Sequence, residues 1–214
     1  MDPKKRVELI YSSLDKNYGA LNPRLDFANC FQLVIAVILS AQCTDEQVNR
    51  VTAVLFGKFP EPRDLADADI QAVEKIVHST GFFHEKAKYC RETARIIVKK
   101  YDGKIPSSME ELLILPGVGR KSANVIRGFC FGKPAVIADT HFIRVALRTG
   151  IAEGENPEYL EKKIQDIVPS EQLTRLSMLF NAHGRTVCRA RKPNCGSCPI
   201  GQNCESYSEL YKKS

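Results

Sequence analysis

Three groups of side chains in this 214-residue sequence have types and spacings that suit chemistry. The amine of Lys121 follows a Gly-Val-Gly turn, the carboxylate of Asp139 precedes a helical pattern, and four cysteines crowd together near the C-terminal end. An amine can attack an electrophilic carbon, a carboxylate can take a proton or stabilise a positive charge, and thiolates bind soft metals. The rest of the chain must position these groups.

The stretch around Lys121 predicts two short helices joined by a hairpin. Residues 107–110 fit a capping box for the first helix, which Pro116 and Gly117 end, and a helical pattern restarts behind Gly119. Unpaired amides at the start of the second helix, together with the positive end of its dipole, suit one DNA phosphate. Lys121 then lies within reach of whatever the hairpin holds. The alternative is an ordinary helix–turn–helix connection with a solvated lysine.

The clustered cysteines have the spacing C-x6-C-x2-C-x5-C and are Cys188, Cys195, Cys198 and Cys204. Four thiolates in so short a loop predict a soft metal centre. Zinc is one possible occupant, although structural zinc sites usually have two short knuckles and this spacing contains only one. The remaining cysteines are most simply buried small residues, and they are Cys30, Cys43, Cys90 and Cys130.

Charge and composition favour a globular protein with a polyanionic partner. The formal net charge is +6, and 43% of the residues are hydrophobic, which is enough for a core. Basic residues surround the first clustered cysteine, at Arg185, Arg189, Arg191 and Lys192. On a metal-pinned loop they form a phosphate-binding surface; otherwise they are a solvated charged face. No signal peptide or bilayer-spanning run is evident, so we expect a cytoplasmic, nucleoid-associated protein.

The hydrophobic periodicity predicts an all-α fold. Residues 31–41 are apolar nearly all round and indicate a central buried helix, and further helices are expected near residues 157–168 and 170–183. Asp139 is a natural N-cap for the helix that follows, which is its purely structural interpretation. No strand pattern or internal repeat is evident.

Three motifs resemble the endonuclease III family of helix-hairpin-helix DNA glycosylases. The string Leu-Pro-Gly-Val-Gly-Arg-Lys ending at Lys121 resembles that family's hairpin. The segment Asp-Thr-His-x-x-Arg beginning at Asp139 resembles the one that bears the superfamily's aspartate. The cysteine spacing resembles the family's [4Fe-4S] site, preceded here by a matching His-Gly-Arg that ends at Arg185. The motifs occur in the family's order over nearly the whole chain.

The resemblance implies two helical domains flanking a DNA-binding cleft. Residues 22–133 would form a helical barrel carrying the hairpin, and residues 134–214 with the N-terminal helix 1–21 would form the iron–sulfur domain. Lys121 would lie on one lip of the cleft and Asp139 on the other. The implied cofactor is a [4Fe-4S] cluster, and the implied partner of a monomeric enzyme is double-stranded DNA containing damaged pyrimidines or abasic sites.

The implied activity is a bifunctional DNA glycosylase and abasic-site lyase of base excision repair. Lys121 would displace an oxidised pyrimidine, form a Schiff base, and cut 3′ to the abasic site by β-elimination, while Asp139 takes a proton or stabilises developing positive charge. By resemblance, Gln42 fills the gap left by the displaced base and Phe82 wedges into the duplex. The full set of expected DNA contacts is Gln42, Asp45, Phe82, Gly117, Gly119, Arg120, His141, Arg185, Arg189, Arg191 and Lys192.

Two other functions are weighed against this one. A monofunctional adenine or mismatch glycosylase generally lacks a lysine at the hairpin position, so Lys121 argues against it. A non-catalytic iron–sulfur DNA-binding protein needs neither Lys121 nor Asp139. Outside the family's context, the loop of Gln42 could be an ordinary connection and the Phe82-Phe83 pair a packed staple.

Overall fold

The computed structural model describes residues 1–211, which contain twelve α-helices, short 3-10 turns and no strand. The predicted all-α fold is therefore confirmed for this part of the chain. No helix in these residues is both long and apolar enough to span a bilayer. The helices are α1 (Pro3–Tyr18), α2 (Cys30–Leu39), α3 (Asp45–Lys58), α4 (Pro62–Ala66), α5 (Ile70–Val77), α6 (Phe83–Tyr101), α7 (Met109–Leu112), α8 (Arg120–Phe131), α9 (Thr140–Thr149), α10 (Pro157–Ile167), α11 (Leu173–Thr186) and α12 (Tyr207–Tyr211).

The helices divide into two compact units. One unit is Pro23–Lys133, and the other combines Met1–Asn22 with Pro134–Ser214. Residues 212–214, the end of the predicted iron–sulfur domain, lie outside the described residues. We call the first the hairpin unit and the second the cysteine unit.

Helix α2 is the centre of the hairpin unit. Its side chains are apolar on every face, and all residues from Leu33 to Leu39 are buried. Asn29 begins the helix by accepting a hydrogen bond from the Gln32 amide at 3.0 Å. Because helices pack around it on several sides, a helix without a polar face is stable here. Its β-branched residues do not make it a strand.

The predicted capping box before the hairpin is wrong by one residue. The N-cap of α7 is Ser108, whose hydroxyl accepts from the Glu111 amide at 3.2 Å and donates to the Glu111 carboxylate at 2.9 Å. Ser107 is engaged elsewhere, since its hydroxyl and carbonyl oxygens both accept from Lys133 Nζ, at 2.9 and 3.0 Å. The helix has only four residues and ends before Pro116.

The scattered cysteines behave in two ways. Cys90 is fully buried, as expected, and burial raises the pKa of its thiol to about 12. Cys30 and Cys130 are instead half-buried and bonded to each other as a disulfide, with 5.6 Å between their Cα atoms. The expectation of two separate buried thiols at these positions is therefore wrong. The bond joins the start of α2 to the end of α8, the helix whose second residue is Lys121.

In the cysteine unit α11 packs on α9 and on α1, and α1 also packs on α10, with Phe142 of α9 in contact with Phe180 of α11 in the core. Helices α10 and α11 correspond to the expected helices near 157–168 and 170–183; a 3-10 turn, Ser170–Gln172, precedes α11 and delays its start. The buried guanidinium of Arg6 in α1 donates to the Gly150 carbonyl at 2.8 Å and to the Glu205 carboxylate. Arg6 thereby ties the first helix to the turn after α9 and to the segment following the last clustered cysteine.

Candidate active site

The hairpin of the hairpin unit is built around two glycines with different roles. Gly117 has φ +80°, a conformation that side chains other than hydrogen rarely adopt. A Cβ at this position would also stand 3.0 Å from the Ile38 side chain and 3.1 Å from the Tyr89 ring. Gly117 is therefore required by both the turn and the packing of the turn onto α2 and α6.

At position 119, neither the backbone conformation nor the packing requires a glycine. Its φ of −91° suits any residue, and a Cβ there would meet nothing within 4 Å. It is the N-cap of α8 and, having no side chain, cannot cap the helix as serine, threonine or aspartate would. The positive end of the α8 dipole favours an anion that approaches this exposed backbone. Arg120 and Lys121 lie in this first turn, and both side chains are exposed.

Two loops of the same unit present residues in left-handed backbone conformations. Gln42, between α2 and α3, has φ 53°, and Phe82, immediately before α6, has φ 48°. Gln42 is exposed, and 69% of the Phe82 side chain is accessible to solvent. Positive φ at residues other than glycine costs about 1–3 kcal/mol and tends to occur at functional sites. Of the aromatic pair, Phe83 packs against the core and Phe82 does not.

Contacts beneath these loops hold them in place. Gln47 Nε2 in α3 donates to Ser79 Oγ at 2.6 Å, which joins the two loop regions. The buried Nζ of Lys86 donates to the Thr80 carbonyl at 2.7 Å, next to Phe82, and burial lowers the pKa of this lysine. Asp45 is half-buried as the first residue of α3. Sequence reasoning missed Lys86, for which a lysine inside an otherwise helical apolar pattern was the available signal.

The candidate carboxylate of the cysteine unit is held at both oxygens. Asp139 is the N-cap of α9, and its Oδ1 accepts from the Phe142 amide at 2.7 Å. Its Oδ2 accepts from Nδ2 of Asn181 in α11. Asn181 Oδ1 in turn accepts from Arg185 Nε at 3.1 Å. The predicted capping role of Asp139 is confirmed, and Asn181 was not identified from the sequence.

His141 faces the interior of its unit. Its Nδ1 accepts from the Arg144 guanidinium at 3.0 Å. Its Cβ lies against Gly184, and a Cβ added to Gly184 would stand only 2.8 Å from the His141 Cβ. Burial lowers the pKa of His141, and the charge of Asp139 opposes that effect. Burial therefore favours the neutral form of this imidazole more than in a solvent-exposed histidine. Its assignment as a DNA contact stays a prediction.

The four clustered cysteines line one pocket between α9, α11 and the loop that follows. Burial raises the pKa of Cys198, and raises that of Cys204 to about 11; the charges of neighbouring cysteines add to both effects. The four thiols are thus close enough for each thiolate to disfavour ionisation of the others. A positively charged metal centre bound among them would instead favour the thiolate form. In residues 1–211 no three His, Cys, Asp or Glu side chains are arranged as ligands of a single metal ion.

Two arginines of α9 support the first part of the cysteine loop. Arg144 Nε donates to the Cys188 carbonyl at 2.9 Å. Arg148 donates to the carbonyls of Arg189 and Ala190, at 2.7 and 3.0 Å, and to Cys188 Sγ at 3.4 Å. These bonds use carbonyl oxygens of the segment, and the Arg189 side chain itself donates through Nε to the Thr186 carbonyl at 3.1 Å. All four predicted phosphate contacts are exposed, namely Arg185, Arg189, Arg191 and Lys192.

The chain resembles known proteins over almost its full length. Residues 35–170 match the family model described as HhH-GPD superfamily base excision DNA repair protein. Endonuclease III of Synechocystis sp. is 44% identical over 204 residues, which cover 95% of this chain and 93% of that protein.

Solved structures share the fold. A non-covalent endonuclease III–DNA complex has a TM-score of 0.92 at 34% identity, covering 98% of this chain and 99% of that one. A trapped covalent endonuclease III–DNA intermediate, an estranged-adenine complex, has a TM-score of 0.91 at 34% identity, covering 97% and 98% of the two chains.

Proposed function

The chain belongs to the HhH-GPD superfamily of base excision DNA repair proteins, within its endonuclease III family, and we propose that its substrates are oxidised pyrimidines in duplex DNA. As a member of that family it is a DNA glycosylase that also cleaves at abasic sites, which excludes the non-catalytic alternative. The observation that carries the proposal is the exposed Lys121 amine in the first turn of α8, directly behind a glycine hairpin. In this proposal the enzyme acts as a monomer on nucleoid DNA in the cytoplasm.

Lys121 is the nucleophile of the proposed reaction. The damaged nucleotide is flipped out of the duplex, because its glycosidic carbon cannot be reached inside the stack. The uncharged amine attacks C1′ of the sugar, and the C1′–N bond breaks with its electron pair leaving on the base. Loss of a proton from nitrogen and opening of the sugar give a Schiff base. Removal of a C2′ proton then expels the 3′ phosphate by β-elimination.

Asp139 supplies the negative charge that this sequence of steps needs. Its carboxylate either takes the proton from the lysine amine or stabilises positive charge on the sugar as the base departs. Each oxygen already accepts one hydrogen bond, from Phe142 or Asn181, but an ionised carboxylate has about four lone-pair positions. Lone pairs therefore remain for the substrate while the existing bonds fix the plane of the group.

The remaining predicted residues bind the DNA. The backbone at Gly117 and Gly119 and the side chain of Arg120 hold one phosphate at the start of α8. Gln42 fills the space left by the flipped base, and Phe82 inserts beside it, since both project from their loops. Arg185, Arg189, Arg191 and Lys192 neutralise phosphates further along the backbone, with Asp45 and His141 in supporting positions.

Cys188, Cys195, Cys198 and Cys204 hold a [4Fe-4S] cluster in this proposal. A single zinc ion draws four ligands to one point, whereas a cubic cluster spreads its thiolates around a larger centre. Four cysteines that line one pocket, in a sequence spacing with a single short knuckle, support the larger centre. A bound cluster supplies iron–thiolate bonds that pin the basic loop, and it can also exchange an electron.

A lesion panel tests the proposed function. We expect the protein to release the base and cut the strand on a duplex with one oxidised pyrimidine, and to cut a duplex with one abasic site, because both present C1′ to Lys121. An undamaged duplex and an adenine mismatch serve as controls and stay intact. Release of adenine or mismatched thymine without strand cleavage would support the monofunctional alternative instead.

The cluster is tested by metal analysis. Protein purified anaerobically with ample iron should be brown and contain about four irons and four sulfides per chain. Cys198→Ser should lose most of both, whereas the Cys30→Ser/Cys130→Ser variant, which removes the disulfide pair, should keep them. Stoichiometric zinc in place of iron would refute the assignment.

A further inference from the structure

Asn181 connects the exposed Arg185 to the candidate carboxylate of Asp139. Its Nδ2 donates to Asp139 Oδ2, and its Oδ1 accepts from Arg185 Nε at 3.1 Å. Asn181 and Arg185 are separated by one turn of α11, so both side chains lie on the same face of this helix. Asp139 stands 42 residues earlier in the sequence, at the start of α9.

The orientation of the Asn181 amide follows from its neighbours. A guanidinium only donates hydrogen bonds and an ionised carboxylate only accepts them. The amide oxygen must therefore face Arg185 and the amide nitrogen must face Asp139, because the reverse orientation would oppose donor to donor and acceptor to acceptor. Arg185 therefore donates to Asn181, and Asn181 donates to Asp139. The Asn181 amide cannot flip without losing both hydrogen bonds.

The packing of the two helices keeps this contact in place. Asn181 is half-buried, next to the fully buried Phe180, and Phe180 packs on Phe142 of α9. One turn further along α11, Gly184 lies so close to His141 that a Cβ would stand 2.8 Å from the His141 Cβ. The helices are thus in contact on both sides of the Asn181–Asp139 bond. Asn181 has no capping role, since it lies inside α11.

We propose that Asn181 is a positioning residue for the excision step, which fixes the rotamer and plane of the Asp139 carboxylate against the reacting sugar. This inference rests on the proposed function. The Phe142 amide holds only Oδ1 and leaves the carboxylate free to rotate about that bond. The Asn181 amide holds the second oxygen and removes this freedom. A carboxylate with two fixed oxygens needs less reorganisation when charge develops next to it.

The test compares Asn181→Leu with wild type in single-turnover base excision on the oxidised-pyrimidine duplex. Leucine has nearly the same size and favours helix, so α11 should form, but it offers no donor to Asp139. We expect the excision rate to fall about ten- to a hundredfold, the size typical for loss of one hydrogen bond to a charged group. Affinity for a duplex with an uncleavable abasic analogue should change less than about twofold. Thr174→Val, another half-buried near-isosteric change in α11, should leave the excision rate unaltered.

Asn181→Asp provides a second variant, in case leucine prevents folding. It places a carboxyl group against Asp139. The charged or titratable side chains around this pair include Arg185, His141, which interacts with Asp139, and Arg144, which donates to His141. Only the protonated form of the new carboxyl can donate a hydrogen bond as the amide does. We therefore expect its excision rate, relative to wild type at the same pH, to recover as the pH falls.

The outcomes separate this inference from the proposed function. If wild type excises oxidised pyrimidines while Asn181→Leu keeps the wild-type rate, Asn181 positions nothing and the inference is wrong. If Asn181→Leu does not fold, a ratio of Asn181→Asp to wild type that is independent of pH overturns it equally. If wild type itself does not act on oxidised pyrimidines, the proposed function fails, and the same variants are then measured on the abasic duplex. Variants that no longer cleave this duplex support the positioning role, and variants that cleave it at the wild-type rate overturn it.

Discussion

In the Lys121→Gln variant we expect no covalent protein–DNA product when borohydride is added during turnover, whereas wild type is trapped. Borohydride reduces the imine to a stable amine, so trapping reports a Schiff base directly. Glutamine has similar length and helix propensity, and Lys121 is an exposed residue of α8, so the fold should be retained. Strand cleavage should be lost together with trapping, and peptide mapping of the wild-type adduct should place the DNA on Lys121.

Two further variants distinguish loss of the nucleophilic amine from loss of its positive charge. Lys121→Arg keeps a positive charge in the first turn of α8 but provides no amine that can form an imine, so it should bind the duplex well and remain untrapped. Lys99→Gln removes one exposed lysine from the last turn of α6 and should be trapped like wild type. Wild-type excision of oxidised pyrimidines without any trapping would show that water, and not Lys121, displaces the base.

Local contacts explain which parts of the site could be predicted from the sequence. Asp139 caps its helix through an amide three residues away, and α8 begins after a glycine that has no side chain to cap it. Both features depend on residues that are neighbours in the sequence. The exposed Phe82 and Gln42 were expected by resemblance, but the left-handed backbone at both positions has no clear signal in residue type.

The features that escaped prediction join residues far apart in the chain. Ser107 is occupied by Lys133, 26 residues later, and for that reason the capping box begins at Ser108. Cys30 and Cys130 are separated by 100 residues. Hydrophobic periodicity shows that each of these residues lies in a helical segment but does not specify which helices meet. For the same reason, the sequence did not indicate that Asn181 contacts Asp139.

Asp139→Asn should lower base excision by about 10²–10⁴-fold, the usual contribution of a positioned acid or base, because an amide carries no charge and takes no proton. Asparagine caps a helix about as well as aspartate, so the bond from the Phe142 amide should survive. The new amide would, however, place its NH2 group against that of Asn181. Unless one of them rotates, this unpaired contact costs about 1–3 kcal/mol of stability, which thermal unfolding would detect.

The double variant Asp139→Asn/Asn181→Asp distinguishes lost structure from lost chemistry. Here the amide at 139 donates to a carboxylate at 181, so this hydrogen bond is restored in the reverse direction, while Arg185 still donates to position 181 and the Phe142 amide still donates to position 139. We expect the melting temperature to return toward wild type while excision stays as slow as in Asp139→Asn, since the charge has moved to α11. Recovery of excision together with stability would mean that Asp139 serves only to cap and pack α9. Persistent inactivity in a fully stable protein would assign the carboxylate at 139 to the reaction itself.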